Sequence, residues 1–153
     1  MDELHALEAW AGRLLAQLQA PARRAALRDI ACDLRRSQQA RIAQQKNPDG
    51  SAYVPRKPRG LKKLRTKQGR IKNAAMFAKL RQAKYLRAES YANSLAVGFV
   101  DRIARVARVH QFGETDRVAP GGPEHKYDAR VLIGFSDADR EMIRDLLLKH
   151  IVK

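Results

Sequence analysis

One cysteine, Cys32, is too few for an intrachain disulfide, which fits a reducing cytoplasm. Its plain reading is a small apolar residue on a helix flank. No apolar run is long enough to span a bilayer, and Met1-Asp2-Glu3 is acidic where a signal peptide carries positive charge. Neither a membrane protein nor a secreted one is expected. The sequence has no CxxC, HExxH, P-loop or dinucleotide-binding glycine pattern. Glu124, His125 and Asp128 are of metal-ligating type, but their loop is rich in glycine and proline and no second cluster matches them. An enzyme is therefore not expected, and no cofactor or metal is called for. Aromatic residues make up only 6% of the chain, yet aliphatic residues are ample, and 153 residues can bury one core.

Acid is scarce too. The chain has 16 Asp and Glu against 31 Lys and Arg, a net charge of +15 at pH 7. Such a balance implies an acidic partner: nucleic acid, a membrane surface or an acidic protein face. No acidic residue occurs between Asp49 and Glu89. The first half of that tract is crowded with Arg56, Lys57, Arg59, Lys62, Lys63, Arg65, Lys67, Arg70 and Lys72. Pro55, Pro58, Gly60 and Gly69 argue against a regular element, so residues 47–73 read as a long basic loop that orders on contact with a partner or stays a solvated, self-repelling run. Aromatics for base stacking are not interleaved with the charges; Tyr53 and Phe77 lie only near the ends.

What is present reads as an α+β fold: an N-terminal helical hairpin, a small, mainly antiparallel sheet and two further packed helices. Leu4, Leu7, Ala11, Leu14, Leu15 and Leu18 form one stripe over residues 2–19, with Trp10 at its edge. Pro21 suits the first turn of a second helix, which runs to about Gln45 with Leu27, Ile30, Ala31, Leu34, Gln38 and Ile42 inward. The first stripe is narrow, and part of it is a candidate seam between subunits. Asn47-Pro48-Asp49-Gly50 is a turn signal. Residues 76–81 allow a strand or a short helix. Tyr85–Tyr91 and Ser94–Phe99 are expected to pair as strands around Ala92-Asn93. Glu114–Tyr127, with Pro120-Gly121-Gly122-Pro123, reads as a loop, and Val131–Phe135 as a last strand or extended segment. Ser136, with Asp139 three residues on, predicts a capped C-terminal helix whose Met142, Ile143, Leu146, Leu147 and His150 share one face. Leu148 and Ile151 fall outside that face, as a second contact surface would. The chain thus divides into a helical hairpin (1–46), a basic loop (47–73) and an α+β core (74–153), within one compact domain.

The most informative stretch is Ser94–Gly113. Leu95–Phe99 crowds apolar residues around Gly98, as in a strand packed on both faces. From Val100 the period turns helical: Val100, Ile103, Ala104, Ala107 and His110 on one face, Arg102, Arg105 and Arg108 on the other. Gly113 is placed for a left-handed C-cap. Three arginines without lysine favour bidentate contact with carboxylates or phosphates over a merely solvated face.

Val97-Gly98-Phe99-Val100-Asp101-Arg102, continuing to His110-Gln111-Phe112-Gly113, resembles the signature of the phage virion morphogenesis family. Three more segments are similar to that family in the same order: Asn47–Gly50 followed by Tyr53-Val54-Pro55-Arg56-Lys57; Met76–Arg81; and Arg130-Val131-Leu132-Ile133-Gly134-Phe135-Ser136 with Asp139. Asp128-Ala129 precede Arg130 where many members carry proline. The resemblance marks Gly98, His110, Gln111, Gly113 and Arg130 as structural, with a buried His110–Gln111 hydrogen-bond network locking the helix end against the segment around Arg130. It implies a tail completion protein of contractile-tailed phages, assembled in the host cytoplasm and resident at the head-proximal end of the virion tail. Such a protein works by binding. It implies a homo-oligomeric ring, a hexamer, that meets tail tube, sheath or neck proteins, with DNA in the lumen and no membrane. The charge alone supports a different expectation, a sequence-independent nucleic-acid-binding protein.

Overall fold

A computed structural model describes residues 2–56 and 75–152. The element order is α1 (Asp2–Gln17), α2 (Ala20–Ala43), β1 (Leu86–Ser90), β2 (Leu95–Phe99), α3 (Asp101–Phe112), β3 (Thr115–Arg117), β4 (Glu124–Lys126) and α4 (Asp137–Ile151). This is the expected α+β mixture, opened by a helical hairpin. Pro21 lies in the first turn of α2. Every residue expected to face inward on α2 is buried, from Leu27 to Ile42. Ser136 caps α4 in a reciprocal box with Asp139, which satisfies donors that the helix itself leaves orphaned.

Two apolar clusters hold the elements together. One gathers Leu7 of α1, Ile30 of α2, and Ile143 and Leu147 of α4, with Trp10, Leu95 and Phe135 packed against it. The other gathers Ile42, Tyr53, Met76, Leu80, Leu86, Ala107 and Leu132, with Val97, Phe99 and Ile103 at its edge. The long helix α2 feeds both clusters, Ile30 to the first and Ile42 to the second. So does β2, through Leu95 and then Val97 and Phe99. α2 is therefore the beam on which the β1–β2 hairpin and α4 are both laid.

Several expectations need correction. β1 and β2 pair antiparallel with Leu86 opposite Phe99 and Ser90 opposite Leu95, but β2 is not packed on both faces. Leu95, Val97 and Phe99 point to the core, while Ala96 is exposed and Gly98 has open space where a side chain would stand. Residues 76–80 form neither strand nor helix but consecutive turns. Phe77 takes a left-handed φ of 66°, which interrupts a helical path, and the Gln45 side chain captures both the N–H and the C=O of Met76. The loop after α3 contains a small second sheet, β3 paired antiparallel with β4. Its strands are short and polar, so they carry no apolar alternation to read. Val131–Phe135 joins no strand and bends at Ile133.

Candidate functional site

The segment 130–134 owes its conformation to the rest of the molecule. Each of its backbone N–H groups is bonded from outside: Arg130 to the His110 carbonyl at 2.8 Å, Val131 to Asn47 Oδ1 at 2.9 Å, Leu132 and Ile133 to Gln111 Oε1 at 2.7 and 3.0 Å, and Gly134 to Gln38 Oε1 at 3.1 Å. Its carbonyls accept in turn. Arg41 donates to Val131 and Leu132 at 3.1 and 2.9 Å, the Tyr53 hydroxyl also donates to Val131, and Gln111 Nε2 donates to Ile133 at 2.8 Å. Side chains here replace the neighbouring strand that a backbone in this position ordinarily needs.

Behind them lies a buried polar group. Gln38 and Asp139 are almost fully buried, and Arg41 nearly so. Asp139 accepts from Gln38 at 3.2 Å, from the Ser136 backbone at 2.9 Å and from the Ser37 hydroxyl. Gln38 Oε1 also accepts from Arg41. Burial pulls the Arg41 pKa down, opposed by Tyr53 and Asp139, and burial pushes the Tyr53 phenol up. The network links α2, the Asn47 turn and the cap of α4, so a single arrangement fixes the closing segment and the start of the last helix. No local pattern in the sequence singles out Arg41, and there Asn47 and Asp139 read only as a turn residue and a helix-capping residue. Gln38 on an otherwise apolar stripe was the visible signal.

The turn and the closing segment touch directly. A side chain at Gly134 would come within 2.6 Å of Pro48 Cγ. Gly113 takes the expected left-handed cap, φ 65°, and its missing side chain leaves room for the Tyr127 carbonyl and the Ala129 backbone. Gln111 is the lock that the sequence suggested. His110 is a correction: its backbone carbonyl holds Arg130, while its ring Nδ1 is buried without a hydrogen-bond partner among the described residues. The ring packs edge-to-face between Phe77 and Tyr127 instead. Arg130 is buried, and its guanidinium donates to the Val54 and Pro55 carbonyls at 2.7 and 3.2 Å.

On α3, Ala107 is buried and Ile103 and His110 are half-buried, whereas Arg102, Arg105 and Arg108 are exposed, as the helical phase predicts; Ala104 is exposed against expectation. Arg105 pairs with Asp116 at 2.7 Å and Arg108 with Glu114 at 3.2 Å, so two of the three arginines meet the β3 strand and the residue before it. Arg102 has no partner among the described residues. Val106 and Phe112 are exposed on the same helix. Of the basic loop, only Arg56 is described; Lys57, Arg59, Lys62, Lys63, Arg65, Lys67 and Arg70 lie outside the described residues. Both flanks of that tract are fastened to the core, Val54 and Pro55 by Arg130 and Met76 by Gln45. Among the described residues, Glu124, His125 and Asp128 do not come together as a metal-binding group.

The closing segment is thus held by an asparagine turn, a glutamine at a helix end and a glycine seated on proline. The sequence model of the phage virion morphogenesis family matches residues 2–152, and the chain belongs to that family. It is 34% identical over 152 residues to tail completion protein S of Escherichia phage P2, covering 99% of each chain. No solved structure matches it.

Proposed function

We propose that this protein completes the phage tail at its head-proximal end, capping tube or sheath and readying the tail to join the head. The observation that carries this reading is the likeness to tail completion protein S along essentially the whole chain, 99% of both partners. The role is one of binding. A small subunit that caps a symmetric tube works as a ring, and a ring needs two different patches on each subunit. Separate sets of exposed apolar side chains support this: Val106 and Phe112 on α3 beside its arginines, and Leu148 and Val152 at the end of the chain's last helix. The hexamer is the ring order we propose, with tail tube, sheath or neck proteins as neighbours and the basic tract facing either DNA in the lumen or acidic protein surfaces.

Size-exclusion chromatography with light scattering tests the ring. In low and in high salt the protein should elute as one oligomer of constant mass, because contacts between apolar patches survive screening. The charge of +15 supports the competing reading of a sequence-independent nucleic-acid binder. A monomer at all salt concentrations that shifts only on adding DNA would establish that reading instead.

A further inference from the structure

A cleft of about 600 Å³ opens between the turns at 75–80, the last turn of α3 and the stretch from β4 to Arg130. Its walls are largely apolar, and a file of aromatic rings runs along them. Phe77 meets His110 with centroids 4.9 Å apart, His110 meets Tyr127 at 4.9 Å, and Tyr127 meets His125 at 4.8 Å, each edge-to-face. Arg56, Lys79 and Arg130 bring positive charge to this lining, against the single carboxylate of Asp128. That carboxylate is half-exposed and stands 3.9 Å from Arg130, too far for a close hydrogen-bonded pair. The ring Nδ1 of His110 is buried without a partner among the described residues. Burial, then the charges of Arg130 and Arg56, lower the His110 pKa, so the imidazole stays neutral near pH 7 and adds no charge of its own.

We propose that this cleft is a docking site for a carboxylate-bearing segment of a partner protein, an acidic residue beside an aromatic or aliphatic one. The charge complementarity is direct: cations exceed carboxylates in the lining, and an incoming carboxylate meets Arg56 and Lys79 at the edge of the cleft, beside the His110 ring. The ring-lined wall accepts the neighbouring apolar side chain. A nucleic-acid backbone fits less well, because it offers phosphates but no apolar group for those walls. The inference rests on the assembly reading only in taking the partner to be another protein of the particle.

The test is NMR titration of the full chain with the pentapeptide acetyl-Asp-Phe-Glu-Phe-Asp-amide, following the four imidazole signals. His110 and His125 should shift saturably while His5 and His150, which lie outside the cleft, stay put. The His110 pKa should rise on binding, since a carboxylate brought near the ring favours its protonated form. Arg56→Gln should weaken binding about fivefold, the size of one partly exposed ion pair, and Arg102→Gln, outside the cleft, should leave it unchanged. The neutral peptide acetyl-Asn-Phe-Gln-Phe-Asn-amide should not bind. No saturable shift of His110, or equal affinity in Arg56→Gln, overturns the proposal. So does a stronger response of the same signals to inorganic phosphate or to oligothymidylate, which would make the cleft a phosphate site. A silent His110 in a protein that still runs as a ring by light scattering would remove the docking site and leave the assembly reading standing.

Discussion

Gln111 bonds through both ends of its amide to the peptide units of Leu132 and Ile133. Gln111→Leu keeps similar bulk but strands two N–H groups and a carbonyl. A stranded buried group costs about 1–3 kcal/mol, and Gln111 is only half-buried, so the variant should lose roughly 2–4 kcal/mol in urea unfolding. A loss below about 0.5 kcal/mol would mean that water replaces the amide. Gly134 offers a cleaner case, because its φ is unexceptional and only space is at issue. The 2.6 Å approach of an added Cβ to Pro48 Cγ makes Gly134→Ala a case of overpacking, with a cost of about 1–3 kcal/mol. Pro48→Ala removes the obstacle, so the double variant should recover part of that loss; strict additivity of the two changes would refute the contact.

The arginines of α3 invite a different expectation. Arg105 and Arg108 form ion pairs with side chains that are mostly exposed on the arginine side, 75% and 70%, and such pairs contribute about 0–1 kcal/mol each. Arg105→Ser with Arg108→Ser should therefore shift the melting temperature by only a few degrees, at most. A collapse in stability would show that β3 and β4 depend on these pairs for their position. The helices were legible because each carries a sustained period, a proline at one start and a serine–aspartate box at another. The β1–β2 hairpin was legible from two strand-like runs on either side of Ala92-Asn93, but the single buried face of β2 was not, because Gly98 among apolar residues imitates a strand covered on both sides. The closing segment was not, because side chains remote in sequence shape it, and no local pattern records that Asn47, Arg41 and Gln38 converge on residues 131–134. The β3–β4 pair was missed for want of apolar residues, and the turns at 76–80 because Met76 and Leu80, four residues apart and both buried, imitate a helix. At the site, Gln111 and Gly113 could be read as a helix end, whereas the unpartnered His110 nitrogen depends on which rings surround it.

The molecule carries much of its excess charge in a tract whose two flanks are pinned by Gln45 and Arg130. Lys62, Lys63, Arg65 and Lys67 are four of the cations in that tract. Replacing these four by alanine should leave the circular dichroism spectrum and melting temperature near those of the parent, since fewer like charges repel less. Particles assembled with this variant should instead show tails that stay uncapped, vary in length or fail to join heads when counted by electron microscopy. Normal tails and full infectivity would show that the tract is only a solvated run. Where the parent does use the tract to grip a partner, that grip should weaken near 1 M salt, where the Debye length falls to about 3 Å.

The closing segment also has a kinetic meaning. Its bonds to Tyr53, Asn47, Arg41 and Gln38 join residues 78, 84, 91 and 96 positions apart. Contacts of such range form only after large loops have closed, an entropic cost that local helices and hairpins do not meet. The segment should thus seat late, after the rate-limiting step, on a scaffold of α2, α3 and the Asn47 turn. Variants within it should show φ-values near zero: refolding at the parent's rate, and unfolding accelerated by the full loss in stability. The last part of the chain to settle would then be the first to let go, and the lifetime of the folded subunit would be set at residues 130–134.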